Sequence, residues 1–399
     1  MSNMLEGKHI VVGISGGIAA YKIPMLIRIL KKQGADVRVC TTHNALQFVT
    51  EVTLQTLSNN SVYTDVFQPH REHSTEHISL PDWADLLIVA PATANIIGKF
   101  ASGIADDALS TTFLAFNKPV LIAPAMNDKM LANPIVQRNL TALAQLPNIT
   151  VMPCADGFLA CGTSGTGRMA EPEQIALWAE KALTEQTLAD KKVMINLGPT
   201  VEDIDPVRFI SNHSSGKMGN AIAEACWLRG ADVTVVAGPV QHVFEEAHII
   251  HVSSAEQMYE ASVNAAKDND IIILCAAVAD YTPAEKAEHK IKRRAGEQLT
   301  LTLNPTPDIA ATIGRNKKKN QKLIGFALET QDEEHNAEEK MHRKNLDMIV
   351  LNSLQDKGAG FATDTNKITI IFPGNKAKAF PLKSKTEVAK DIVQAIVEG

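Results

Sequence analysis

His9-Ile10-Val11-Val12-Gly13-Ile14-Ser15-Gly16-Gly17 is a β-branched apolar run that stops at a small polar and glycine turn. Such a run, closed by such a turn, predicts a buried strand that hands over to a helix. The next residues agree. From Ile18 to Lys32 the apolar side chains Ile23, Leu26, Ile27 and Leu30 fall on one side of a helix, and Gly34 ends it. Asp36–Thr41 then reads as a second strand. Further out, Leu86–Ala90 is a third strand, running into Pro91-Ala92-Thr93-Ala94-Asn95. Pro119–Ala123 is a fourth, running into Pro124-Ala125-Met126-Asn127. Strands that alternate with helices predict a parallel, doubly wound sheet. Ligands of such sheets sit beyond the carboxyl ends of the strands, where these short polar segments fall.

The pattern then restarts. A helix over Pro172–Leu183 and a polar stretch, Thr184–Lys192, place a domain boundary near residue 190, giving units 1–190 and 191–399. Val193–Leu197 is a strand followed by Gly198-Pro199-Thr200, and Ser214-Ser215-Gly216-Lys217-Met218-Gly219 enters a helix that runs to Arg229. Gly230 stops it and Asp232–Ala237 is a strand, repeating the order helix, Gly, Ala, Asp, strand seen at Gly34. Ile271–Ala279 reads as a further buried strand, and Glu285–Glu297 as a basic, polar loop or flap. The fold class is therefore α/β, with two tandem doubly wound Rossmann-like domains.

Composition narrows the function. Of 399 residues, 45% are hydrophobic and 21% charged, an ordinary globular balance. The net charge of −6 argues against a nucleic-acid partner while leaving room for a local phosphate pocket. The five cysteines, Cys40, Cys154, Cys161, Cys226 and Cys275, include no Cys-x-x-Cys pair. Reduced thiols of a cytoplasmic protein fit better than a disulfide framework or a structural zinc. Met1 to His9 lacks the apolar core of a signal peptide, and the apolar runs are too short to span a bilayer, so no membrane partner is expected.

The turn at Ser15, Gly16 and Gly17 presents backbone N–H groups and a helix entrance to an anion. It is not Gly-x-Gly-x-x-Gly, and the second strand ends in Thr41-Thr42 without an acidic residue for a ribose hydroxyl. Both points disfavour NAD and favour a mononucleotide with one phosphate, such as FMN. His77, Asn127 (in Pro124-Ala125-Met126-Asn127-Asp128-Lys129-Met130) and Cys161 (in Ala160-Cys161-Gly162) are candidate catalytic groups. Singly, each is also compatible with a plain surface or packing role. In the second half, Ser214–Gly219 lacks Walker A spacing; it reads as an amide-rich helix entrance with one lysine, and an ordinary helix cap is the lesser alternative. Asp280 closes an apolar strand, and Lys290-Ile291-Lys292-Arg293-Arg294 follows on the polar segment.

Together these motifs resemble the flavin-containing cysteine decarboxylases in the first half and phosphopantothenate–cysteine ligase in the second. Nearly the whole chain is similar to the bacterial bifunctional coenzyme A biosynthesis family. The resemblance implies a flavodoxin-like flavoprotein domain followed by a ligase domain. For the first, it implies FMN-dependent decarboxylation of 4′-phosphopantothenoylcysteine to 4′-phosphopantetheine. His77 would assist oxidation and decarboxylation, Asn127 would bind the substrate carboxylate and Cys161 would return the proton. Ser15, Gly16, Gly17, Thr41, Thr93 and Asn95 would hold FMN. The family often has an aromatic residue where this chain has Leu131, which bears on the shape of the substrate pocket.

For the second, the resemblance implies that CTP activates 4′-phosphopantothenate as an acyl cytidylate, which the amine of cysteine then opens. Asn212 would turn the intermediate over and Lys290 would serve both catalysis and CTP binding. Gly216, Gly219, Ala276, Ala277, Asp280 and Phe326 would contact CTP, as would Pro307, Asp308, Ile309 and Ala310, with Lys340 and Lys344. Mg²⁺ is expected on the triphosphate, although no ligand for it is assigned, and the residues themselves do not distinguish CTP from ATP. Trimeric decarboxylase contacts and dimeric ligase contacts, building a dodecamer, are likewise implied by the resemblance alone.

Overall fold

The computed structural model describes residues 4–67, 75–158, 164–293, 298–329, 333–353, 363–374 and 376–399. The chain divides into two compact units, Met1–Thr184 and Glu185–Gly399. The break lies at the start of the polar stretch, a few residues before the expected boundary near residue 190, because Gln186 Nε2 and Leu188 N donate to Leu228 O and Arg229 O of the second unit.

The strands of the first sheet are β1 (His9–Ile14), β2 (Asp36–Thr41), β3 (Val62–Tyr63), β4 (Leu86–Ala92), β5 (Val120–Pro124) and β6 (Ile149–Val151). Their order is β3-β2-β1-β4-β5-β6, and every pair is parallel. β1 sits in the middle of the sheet. Its period-two alternation sends Ile10, Val12 and Ile14 into one core and Val11 into the other. β4 alternates likewise, with Leu86, Ile88 and Ala90 on one face and Leu87 and Val89 on the other, and an irregularity between Val89 and Ala92 then brings Ala92 to the second face. Each fully buried Ile or Leu contributes about 1.5–3 kcal/mol. Because both faces are covered, these strands read as continuous apolar runs rather than alternating ones. The expected helix over 18–32 divides into a 3₁₀ turn, Ile18–Lys22, and an α-helix, Ile23–Lys32, with Pro24 in its first turn. A short antiparallel pair, β7 (Ala155–Phe158) and β8 (Ser164–Arg168), follows the sheet.

In the second unit, β9 (Lys192–Leu197) is followed by a small antiparallel pair, β10 (Val201–Asp203) and β11 (Phe209–Ser211). β12 (Asp232–Ala237), β13 (His248–His251) and β14 (Ile271–Leu274) come next, then a second small pair, β15 (Tyr281–Pro283) and β16 (Leu303–Pro305). β17 (Lys322–Glu329), β18 (Met348–Ser353), β19 (Thr365–Asn366), β20 (Ile368–Phe372), β21 (Lys376–Ala379) and β22 (Lys383–Ser384) complete it. The main sheet runs β13-β12-β9-β14-β17-β18-β20-β21. It is parallel as far as β18, and β20 and β21 then extend the edge antiparallel.

β14 is shorter than the apolar run Ile271–Ala279 suggests. Beyond Leu274 backbone bonds toward β9 continue at Cys275 N and Ala277 N, while side chains take two other N–H groups: Asn196 Oδ1 accepts from Ala276 N at 3.0 Å and Thr200 Oγ1 from Ala279 N at 2.9 Å. The repeated helix stop has one physical cause. Gly34 and Gly230 take φ of 96° and 94°, a left-handed conformation that residues with a Cβ rarely adopt. No helix of the described residues is long and apolar enough to cross a membrane.

Candidate active sites

Each unit opens a cavity at the carboxyl ends of its sheet. In the first unit it measures about 840 Å³. The turn after β1 supplies Ser15, Gly16 and Gly17, the turn after β4 supplies Thr93 and Asn95, and the turn after β5 supplies Asn127. Ser15 ties two of these turns together: its hydroxyl donates to Pro91 O at 2.7 Å and accepts from Thr93 N at 3.1 Å. Gly16 is needed for close approach, since a Cβ there would lie 2.5 Å from Asn44 Cβ. Thr93 caps the helix Ala94–Ser102, and Asn127 caps Asp128–Leu131 through Lys129 N at 2.9 Å.

The cations around this cavity already have carboxylates. Lys22 and Arg168 share Glu171 at 2.9 and 2.6 Å, and Lys99 meets Asp106 and Asp107 at 2.6 Å each. An anion here would therefore meet backbone N–H groups and hydroxyls first. Thr42 lines the wall, and its buried Oγ1 has no hydrogen-bond partner among the described residues. Thr41 does not line the wall. It is fully buried at the end of β2, and its Oγ1 is likewise without a partner. His77 also stands apart from this cavity. It lies in the first turn of the helix Glu76–Trp83, with Nδ1 buried and without a hydrogen-bond partner among the described residues. Cys161 lies outside the described residues, between β7 and β8.

The cavity of the second unit measures about 600 Å³. Gly216 caps the helix Lys217–Leu228, and Gly219 lines the wall beside it. Asn212 Nδ2 donates to Ala277 O at 2.9 Å and Val278 O at 3.1 Å, pinning the turn that carries Ala276, Ala277 and Asp280. Across the cavity, Pro307 and Asp308 lead into Ile309 and Ala310, and Asp308 caps the helix Ile309–Asn316 through Ala311 N. Lys344 Nζ lies 2.9 Å from Asp308 Oδ2, and Lys340 Nζ donates to Phe326 O at 2.7 Å. Burial opposes ionisation of Asp308, but Ala311 N–H and the Lys344 ammonium outweigh it and hold the carboxyl below its usual range. Lys290 does not line the cavity; it is exposed on the segment after β15.

Two family models cover the chain: a flavoprotein model over residues 1–182 and the C-terminal domain of DNA/pantothenate metabolism flavoproteins over residues 188–398. The coenzyme A biosynthesis bifunctional protein CoaBC of Bacillus subtilis (strain 168) is 48% identical over 398 residues, 98% of this chain and 97% of the relative. The chain belongs to the CoaBC family. It is a bifunctional enzyme of coenzyme A biosynthesis, with a flavoprotein decarboxylase unit followed by a ligase unit. Another relative, from an unknown prokaryotic organism, bears the name cysteine/cysteine sulfinic acid decarboxylase. It is 52% identical over 356 residues, 88% of this chain and 99% of its own. Among solved structures, the C-terminal domain of a CoaBC protein aligns with 37% identity and a TM-score of 0.46, covering 54% of this chain and 97% of that one.

In this CoaBC-family chain the ligase cavity is also lined by Asn196 and Lys385, which the sequence alone does not single out, and by Lys217, Asn352 and Asn366, to which it assigns no site role. Asn196 was detectable, as a polar residue interrupting the apolar run of β9. Asn352 and Lys385 carry no local signal, because they come from a distant strand and from the last helix.

Proposed function

We propose that the second unit joins cysteine to 4′-phosphopantothenate with CTP, through an acyl cytidylate. The first unit then decarboxylates the product to 4′-phosphopantetheine with FMN. What supports the reading is the convergence, at one sheet end in each unit, of an amide-rich turn with Asn127 in the first cavity and with Asn212, Asp280, Lys340 and Lys344 in the second. The first cavity fits FMN: an open turn at Ser15–Gly17, a buried Thr42 hydroxyl that lacks an acceptor or donor among the described residues, and room for a tricyclic ring. Bound there, FMN supplies a reversible two-electron oxidant for the substrate thiol. Asn127, its Oδ1 held by Lys129 N, turns its amide N–H₂ as the donor for the substrate carboxylate. An uncharged amide holds that group without the full ion pair that would resist loss of CO₂. His77 takes up the thiol proton and Cys161 returns a proton to the product carbon. Because His77 stands outside the cavity of its own chain, the reading includes a trimer in which it serves a neighbouring copy.

In the ligase, the N-terminus of the helix Lys217–Leu228 faces triphosphate charge. Asn212 steadies the Ala277–Val278 turn while the activated carboxyl is attacked by the amine of cysteine. Lys290 reaches the site on its segment, from a dimer partner where its own chain leaves it outside. Among the described residues no cluster of His, Cys, Asp or Glu is placed to hold a metal, so Mg²⁺ would ride mainly on phosphate oxygens. The enzyme would work in the cytoplasm as a dodecamer of these trimeric and dimeric contacts.

The test is direct. Purified protein with bound FMN, given 4′-phosphopantothenate, cysteine, CTP and Mg²⁺, should release pyrophosphate and then CO₂. A colourless protein that takes up no FMN would sink the first half. Equal turnover with ATP would remove CTP from the second. The relative named as a cysteine decarboxylase favours a second reading, in which free cysteine itself is the substrate. CO₂ released from cysteine alone, without the ligase substrates, would select it.

A further inference from the structure

The helices Lys217–Leu228 and Lys385–Glu398 pack against each other, and the first residue of each lines the ligase cavity. Two helix N-termini and two ammonium groups therefore converge on one wall. Aligned helix dipoles and like charges repel, so the arrangement is favourable only when an anion lies between them. Lys385 is 8% exposed, and Nζ donates to Thr363 O at 2.6 Å. Its pKa is lowered by burial first and then by the Lys217 ammonium, with Asp364 opposing. Burying a lysine beside another lysine is costly, and the Thr363 carbonyl that Nζ meets carries no full charge.

The anion that the fold itself provides is Asp364. Its Oδ1 lies 2.6 Å from Lys217 Nζ, and its backbone carbonyl accepts from Lys385 N at 2.9 Å. The Asp364 side chain is nevertheless 87% exposed, so a ligand can displace it with little loss of packing. Asn366, two residues on, lines the same wall.

We propose that Lys385, together with Lys217, binds a phosphate group of a ligase substrate, and that Asp364 is the carboxylate this phosphate displaces. The inference rests on the ligase reading of this cavity. The phosphate has two possible sources, the triphosphate of the nucleotide and the phosphate of the phosphorylated acid. A dianionic phosphate suits the pair better than one carboxylate, since it offers three acceptor oxygens to two ammonium groups.

The experiment uses the full-length protein and calorimetric binding of CTP alone and of 4′-phosphopantothenate alone. Retained wild-type affinity for the other of the two ligands reports that the ligase unit of each variant is folded. Lys385→Met should weaken one of the two ligands roughly tenfold or more, and Lys385→Arg should recover part of the loss. Weaker CTP with unchanged CMP assigns the triphosphate. Weaker phosphopantothenate with unchanged CTP assigns the acid. Asp364→Asn should bind the same ligand more tightly, because no carboxylate then competes; a merely structural Lys385 would not lead to that gain. Wild-type affinity of Lys385→Met for both ligands, or weaker binding by Asp364→Asn, overturns the proposal. Failure of the wild-type protein to bind either ligand would instead overturn the ligase reading beneath it.

Discussion

Asp205 Oδ2 accepts the backbone N–H of Ile291 at 3.0 Å, so a buried carboxylate beside β10 holds the residue next to Lys290. Arg208 completes the tie, donating to Asp205 Oδ2 and to Ile291 O at 2.6 Å. Asp205→Asn keeps the size of the side chain but weakens both bonds. We expect the ligase rate to fall roughly tenfold to a hundredfold, as a misplaced Lys290 would cause, with decarboxylase activity unchanged. The pH dependence has a definite sign. Burial raises the Asp205 pKa, but the Arg208 guanidinium and the N–H groups of Ile291, Val207 and Arg208 outweigh it and hold the carboxyl far below the usual range. A depressed folded pKa means that the tie is present above the unfolded value and lost only as pH falls through the folded one. Ligase activity measured between neutral and mildly acidic pH should therefore show no step from this group. A step there that disappears in Asp205→Asn would contradict the assignment.

His77 and Asn127 give a test of how the decarboxylase site is completed. Asn127 lines the cavity of its own chain, while His77 does not. If neighbouring copies supply the histidine, His77→Asn and Asn127→Asp should each be inactive alone. Co-expressed, they should regain part of the decarboxylase activity, through cavities that draw one intact residue from each chain. If every chain completes its own site, each cavity retains one lesion and mixing restores nothing. The readout is CO₂ release from 4′-phosphopantothenoylcysteine by the co-purified mixture.

Thr41 and Thr42 differ in a way that the sequence Thr41-Thr42 does not reveal. Both hydroxyls are buried without a partner among the described residues, but only Thr42 lines the cavity. Thr42→Val should therefore lower FMN retention, measured as flavin absorbance per chain after gel filtration. Thr41→Val removes an unsatisfied buried hydroxyl and should leave flavin content unchanged while stabilising the unit by about 1 kcal/mol. The reverse pattern would return Thr41 to the cofactor site.

Legibility in the sequence followed the range of the interactions. β1 and β4 were readable because both of their faces are buried, so each residue reports the core directly. The repeated order of helix, Gly, Ala, Asp and strand was readable because the left-handed glycine is a local requirement. The strand over 271–279 was overread: Asn196 and Thr200, far away in the chain, take two of its N–H groups with their side chains. β20 and β21 escaped notice because an antiparallel edge needs no helix to announce it. In the sites, residues in strand-end turns were legible. Lys385 was not, since the amphipathic helix Lys385–Glu398 looks ordinary until its first residue is seen in the cavity wall.

Under the proposed ligase reaction, a variant of Asn212 should separate the two half-reactions. Its Nδ2 donates to two carbonyls, Ala277 O and Val278 O, on the turn that leads to Asp280. Asn212→Asp is nearly isosteric, yet an ionised aspartate has only acceptors to set against those two oxygens. The turn should move away from the substrate carboxyl, while the helix Lys217–Leu228 and the lysines of the wall are untouched. Activation, which depends on the triphosphate contacts, should persist, whereas attack by the cysteine amine, which depends on the pose of the acyl group, should slow. Rapid quench with labelled CTP should then show pyrophosphate released normally and an acyl nucleotide accumulating to a level comparable with enzyme. Added cysteine should clear it slowly. If pyrophosphate release is lost as well, Asn212 serves activation and the separation of roles argued from its two carbonyl contacts is wrong.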